Sequence, residues 1–117
     1  MTILIAGPYR SGTNDDPALM QRNLSRMEAV ALPLFRAGHI PIIGEWFALP
    51  LLNAAGSKFA GDEIYKEISY PIAMRLLTKC DAILRIEGSS KGADGDVKLA
   101  KELGLKIYYS LEDIIRG

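Results

Sequence analysis

The chain has 117 residues, enough for one domain, 1–117, around one hydrophobic core. Its 14 Lys and Arg balance 14 Asp and Glu, so it lacks the basic excess of a surface that binds nucleic acid polymers. A single cysteine, Cys80, and a single histidine, His39, exclude an internal disulfide framework and a Cys/His zinc cluster; no metal or cofactor is expected.

No stretch approaches the ~20 apolar residues of a membrane span, and the opening MTILIAGPYRSG is too short an apolar run for a signal peptide. The expectation is a cytoplasmic protein with no membrane partner. Thr2–Ala6 is apolar after its first residue, the pattern of a parallel strand buried on both faces. Gly7–Pro17 is dense in turn formers and reads as a loop. Asp16 followed by Pro17 is a helix start. Met20, Leu24, Met27, Ala31 and Leu34 then form one buried stripe at helical spacing. Pro33 is expected to distort the last turn, Gly38 to end the helix, and His39 to cap it rather than take part in catalysis. Ile40–Ile43 is a second strand, placed at a sheet edge because Pro41 has no N–H.

Gly44–Gly61 shows no clear period and is expected to be a loop carrying Glu45 and Trp46. Asp62 opens a helical pattern, with Ile64, Ile68, Ile72 and Leu76 spaced by four. Pro71 predicts a break near Ser69–Tyr70 and a second helix running to Lys79. Asp81–Ile86 is a third strand, Ala93–Leu103 a helix, Lys106–Tyr109 a fourth strand, and Ser110 with Asp113 starts a short last helix.

This alternation of strands and helices predicts an α/β fold: a doubly wound parallel sheet of four to five strands in three α/β/α layers, flavodoxin- or Rossmann-like. Ligands of such sheets bind beyond the carboxyl ends of the strands, at the switch point. Three segments leave those ends, after Ala6, Ile43 and Ile86, and they bring together Tyr9, Arg10 and Ser11, Glu45 and Trp46, and Ser89, Ser90 and Asp96.

The stretch Ile86–Gly104 is the centre of this reading. A strand, a turn of Gly88, Ser89, Ser90, Gly92 and Ala93, and a helix form a geometry that aims backbone N–H groups at an anion. Asp96 is expected in or near the first helical turn, where the helix dipole favours its charged form. Arg10 either clamps a phosphate or carboxylate with its planar fork or is a solvated loop residue. Tyr9 either bonds a sugar hydroxyl or packs. Trp46 is either a stacking surface for a base or a core or interface residue. Glu45 is either a second acid or ribose contact or an exposed loop carboxylate. Cys80 reads as buried and inert.

With these loops assembled, the chain resembles the nucleoside 2-deoxyribosyltransferase superfamily, above all the deoxynucleoside 5′-monophosphate N-glycosidases and small bacterial relatives. The resemblance rests on Gly7-Pro8-Tyr9-Arg10-Ser11-Gly12 after the first strand, Cys80-Asp81 before the third, and Ser90-x-Gly92-x-x-x-Asp96 followed by Ala100 and Gly104. It implies N-glycosidic cleavage or transfer on a nucleoside or its 5′-monophosphate. It also implies phosphate contacts from Arg10 and Ser90 with Gly7, Ser11, Gly12, Ser89 and Gly92 around them, and a nucleophile at Asp96. In that family the nucleophile is a glutamate, so Asp96 is one methylene shorter and reaches roughly an ångström less, a misplacement that can cost ~10²-fold in rate. The family's helix aspartate that protonates the leaving base falls near Ala73, with Glu67 and Glu63 the nearest acids. Glu45 and Tyr9 are the remaining candidates for that proton donor. The large apolar residues of Trp46–Leu52 point to a homodimer or higher homo-oligomer. The same residues allow two other readings: a nucleotide-binding or sensing domain without catalysis, and a partner-binding domain that uses Trp46–Leu52.

Overall fold

The computed structural model describes residues 1–116. Nine elements follow one another: β1 (Thr2–Ala6), α1 (Pro17–Arg36), β2 (Ile40–Ile43), α2 (Gly44–Ala55), α3 (Glu63–Leu77), β3 (Ala82–Arg85), α4 (Lys91–Glu102), β4 (Lys106–Tyr108) and α5 (Leu111–Arg116). All strand pairs are parallel, and the four strands lie in the order β2-β1-β3-β4. The expected doubly wound α/β arrangement is therefore present, with four strands. Leu4 pairs with Ile42 on one side and Ile83 on the other, which fixes β1 at the centre.

Period-two alternation divides the core between two faces. Ile3, Ile5, Ala82 and Leu84 turn toward α1 and α5, where Leu24, Met27, Ala31, Leu34 and Ile114 cover them. Leu4, Ala6 and Ile83 turn the other way, onto Leu77, Cys80, Ala93, Val97 and Ala100 of the α3 end and α4. Each fully buried aliphatic side chain in these layers contributes roughly 1.5–3 kcal/mol of transfer free energy. The α1 stripe is buried as the spacing predicts. Asp16 caps that helix by accepting the Ala18 N–H, and β2 is an edge strand as Pro41 implies.

Three expectations about the helices need correction. Gly44–Ala55, expected to be a loop, is the helix α2, closed by Gly56 in the left-handed conformation. It is apolar on nearly every side and lies along α3, so it is held by packing, not by an amphipathic pattern. α3 does not break at Pro71 but runs unbroken to Leu77. Its burial against α2 and α4 outweighs the hydrogen bond that the proline ring removes. α4 begins at Lys91, capped by Ser90, two residues before the expected Ala93; Asp96 lies just beyond its first turn, whose acid is Asp94.

Candidate functional site

The chain leaves β1 toward β2 on one side, then crosses back to β3 on the other. The connections after β1 and β3 therefore diverge at their carboxyl ends and leave a crevice between them. A cavity of about 650 Å³ occupies that place. The two strand exits come close there because residue 7 has no side chain: a Cβ on Gly7 would overlap Ile86.

The β1–α1 loop contributes Gly7, Tyr9, Arg10, Ser11 and Gly12 to the wall. Its backbone is tied to α1, where Asn23 Nδ2 donates to the Tyr9 carbonyl at 2.8 Å. The Tyr9 ring is half-buried, and burial together with the nearby Glu45 charge raises its phenol above the ordinary value. Arg10 Nε lies 2.6 Å from Asp15 Oδ1, and the guanidinium carbon is 5.5 Å from the Tyr65 ring centre.

The β3–α4 turn supplies Ser89, Ser90 and Gly92 to the wall. Ser90 Oγ accepts the Ala93 N–H at 3.1 Å, leaving its own hydroxyl hydrogen free to donate. The first N–H groups of α4, on Lys91 and Gly92, have no partner within a helix and are donors for a ligand oxygen. Arg85 braces this turn. Its guanidinium donates to the Gly88 carbonyl at 2.8 Å and pairs with Asp94 at 3.0 Å.

Two carboxyls reach the cavity from different helices. Asp96 comes from α4; burial pushes it from 3.8 up to about 6, against the opposing pull of Arg85. Glu45 comes from the first turn of α2; burial pushes it from 4.5 up to about 7. The Asp96 charge adds to that rise, and a bond from its own backbone N–H opposes it. Near neutrality Asp96 is thus largely charged while Glu45 is close to half protonated. Two acids held at different points of titration can divide the work of a base and an acid.

The structure brings together Asp96, Tyr9, Glu45, Gly7, Arg10, Ser11, Gly12, Ser89, Ser90 and Gly92 at one cavity. Trp46 is placed elsewhere. Its indole Nε1 donates to Glu28 Oε2 at 2.8 Å and the ring lies on the α1 side of α2, so it is not a cavity wall. The α3 wall of Tyr65, Ser69, Tyr70, Ala73 and Met74 was not expected from sequence. Its signal is the spacing of Tyr65, Ser69 and Ala73 by four, a strip of one helix face, which the expected break at Pro71 conceals. Ala73 does line the cavity, so the position to which the resemblance assigns an acid is present without one, while Glu63 and Glu67 lie outside it.

Among the described residues no group of three or more His, Cys, Asp or Glu side chains could hold a metal ion, and no helix is long and apolar enough to cross a membrane. No protein-family model matches the chain, and no curated protein sequence matches it.

Proposed function

We propose that the cavity binds a nucleoside or (deoxy)nucleoside 5′-monophosphate and that the protein cleaves or transfers its N-glycosidic bond. The observation that carries this reading is the pair Asp96 and Glu45, which share one cavity while titrating near 6 and near 7. An oxocarbenium-like transition state needs one ionised carboxylate beneath the anomeric carbon and one proton donor beside the leaving base. Asp96 supplies the first and Glu45 the second, in place of the acid absent at Ala73. An Asp96 oxygen bonds to C1′ as the C1′–N bond breaks, and the base leaves with the bond's electron pair and the Glu45 proton. Water, or a second base, then displaces Asp96 from C1′ and returns a proton to Glu45. Arg10 and the β1–α1 loop, with Ser90 and the α4 N-terminus, are assigned to the 5′-phosphate.

Chromatography of a panel of deoxynucleosides and their 5′-monophosphates tests this. Release of free base by the wild-type protein, absent with Asp96→Asn, supports it. Binding of monophosphates without release in either protein supports the sensing-domain reading, which the bare Ala73 position favours.

The proposal includes a cytoplasmic homo-oligomer formed through α2, where Phe47 and Leu51, one helical turn apart, are 44% and 48% exposed. Light scattering at micromolar concentration should give at least a dimer mass, lowered to the monomer by Phe47→Glu with Leu51→Glu. A monomeric wild-type protein would remove this part of the proposal.

A further inference from the structure

The guanidinium of Arg10 faces the cavity with its best anion-binding edge already filled. Asp15 grips that edge with two oxygens: Nε meets Oδ1 at 2.6 Å and Nη2 meets Oδ2 at 3.2 Å. This is the forked geometry in which an arginine takes a phosphate.

The loop bends sharply where it presents the carboxylate. Asn14 and Asp15 both take left-handed backbone conformations, at φ 49° and 59°, which cost free energy for residues with side chains. Thr13, only 2% exposed, holds the bend. Its hydroxyl donates to the Arg10 carbonyl and accepts the Asp15 N–H at 3.2 Å. On the far side the guanidinium lies against Gly61 and over the Tyr65 ring, so its position at the wall is fixed without help from a ligand. Asp15 is itself exposed and can turn into water when displaced.

We infer that Asp15 is an internal competitor for the phosphate-binding edge of Arg10 and so sets how strongly the site prefers phosphorylated over neutral nucleosides. The inference rests on the assignment of Arg10 to a 5′-phosphate. A phosphate must displace the Asp15 carboxylate to reach Arg10, and that displacement subtracts from its affinity. A neutral nucleoside leaves the pair intact and loses nothing.

The test is calorimetric titration of the four deoxynucleosides and their four 5′-monophosphates into wild type, Asp15→Asn, Asp15→Gly and Asp16→Asn. Asparagine and glycine both tolerate the left-handed backbone at position 15, so a loss of loop geometry in one is controlled by the other. Asp16→Asn removes the same charge one residue away, and asparagine keeps the cap of α1. The expected result is tighter binding of every monophosphate by both Asp15 variants, by roughly two- to fivefold as befits an exposed pair. The free nucleosides should be unaffected, and Asp16→Asn should bind like wild type. Equal tightening by Asp16→Asn would reduce the effect to net charge and overturn the inference. So would unchanged or weaker monophosphate binding by both Asp15 variants while wild type still binds, and the proposed function would then survive. Failure of all four proteins to bind any nucleotide would overturn both.

Discussion

Glu45 on α2 and Asp96 on α4 face one cavity, and the charge of Asp96 helps to hold the Glu45 proton up to about pH 7. The two helices therefore communicate through the cavity field. Asp96→Asn should lower the Glu45 titration point while leaving it above 4.5, because burial is the larger cause. Carbon-detected NMR of the Glu45 carboxyl reads this directly. An unmoved titration would mean that the two groups do not share a field.

The proposed chemistry needs Asp96 ionised and Glu45 protonated at once. Base release should rise as pH passes about 6 and fall as it passes about 7, giving a narrow bell. Glu45→Gln should lower the rate roughly 10²–10⁴-fold, the usual contribution of a positioned acid, and abolish the alkaline limb. A persisting alkaline limb would assign the proton donor to another group.

The same two carboxyls should shape stability. Their folded titration points, about 6 and about 7, lie above the ordinary 3.8 and 4.5. The native state therefore holds more protons than the unfolded chain between about pH 4 and pH 7. Their stabilising contribution is full below that window and is lost as pH rises through it. Asp15 and Asp62 are shifted downward and act only at lower pH. Urea denaturation at pH 5 and pH 8 should show wild type losing stability at the higher pH. The double variant Asp96→Asn, Glu45→Gln should remain flat and exceed wild type at pH 8 by roughly 3 kcal/mol for each carboxyl.

Gly61 has a backbone φ of 92°, and a Cβ there would run into the Arg10 guanidinium. Gly61→Ala should cost about 1 kcal/mol or more, because the native conformation is unfavourable for alanine. It should also weaken monophosphate binding more than nucleoside binding, by displacing Arg10. Thermal denaturation and the titrations above read the two effects. Equal loss for both ligand classes would show that Gly61 supports the cavity without positioning Arg10.

The sequence was most readable where one physical signal acted alone. Met20, Leu24, Met27, Ala31 and Leu34 repeat at helical spacing, with the charged residues of the segment off that stripe, so α1 and its buried face follow directly. The unbroken apolar runs of β1 and β3, and Pro41 in β2, place the central and edge strands. Conflict between local and tertiary terms hid the rest. Gly44–Ala55 contains Gly44 and Pro50 and is apolar nearly all round, so no face stands out until α3 covers one side. Pro71 argues for a break that the packing of α3 overrides. The cavity residues at strand ends, Tyr9, Arg10, Ser90 and Asp96, were legible because topology sends such loops to one place. Tyr65, Ser69 and Met74 were not, because a helix face becomes a cavity wall only when its neighbours are known. Trp46 had two readings in the sequence, and only the packing of α2 chooses between them: its indole turns toward Glu28 on α1 and away from the cavity.

The position of β1 has a consequence for synthesis. It precedes the other three strands in the chain, yet it stands inside the sheet, with Thr2 N–H bonded to Asp81 Oδ2 at a separation of 79 residues. While the chain emerges from the ribosome, β1 can pair with β2 early, but its other edge stays open until β3 clears the exit tunnel. For that interval an apolar strand exposes a bare row of N–H and C=O groups. The nascent chain is open to wrong pairing until β3 emerges, and any slowing of translation before that point would lengthen the exposure.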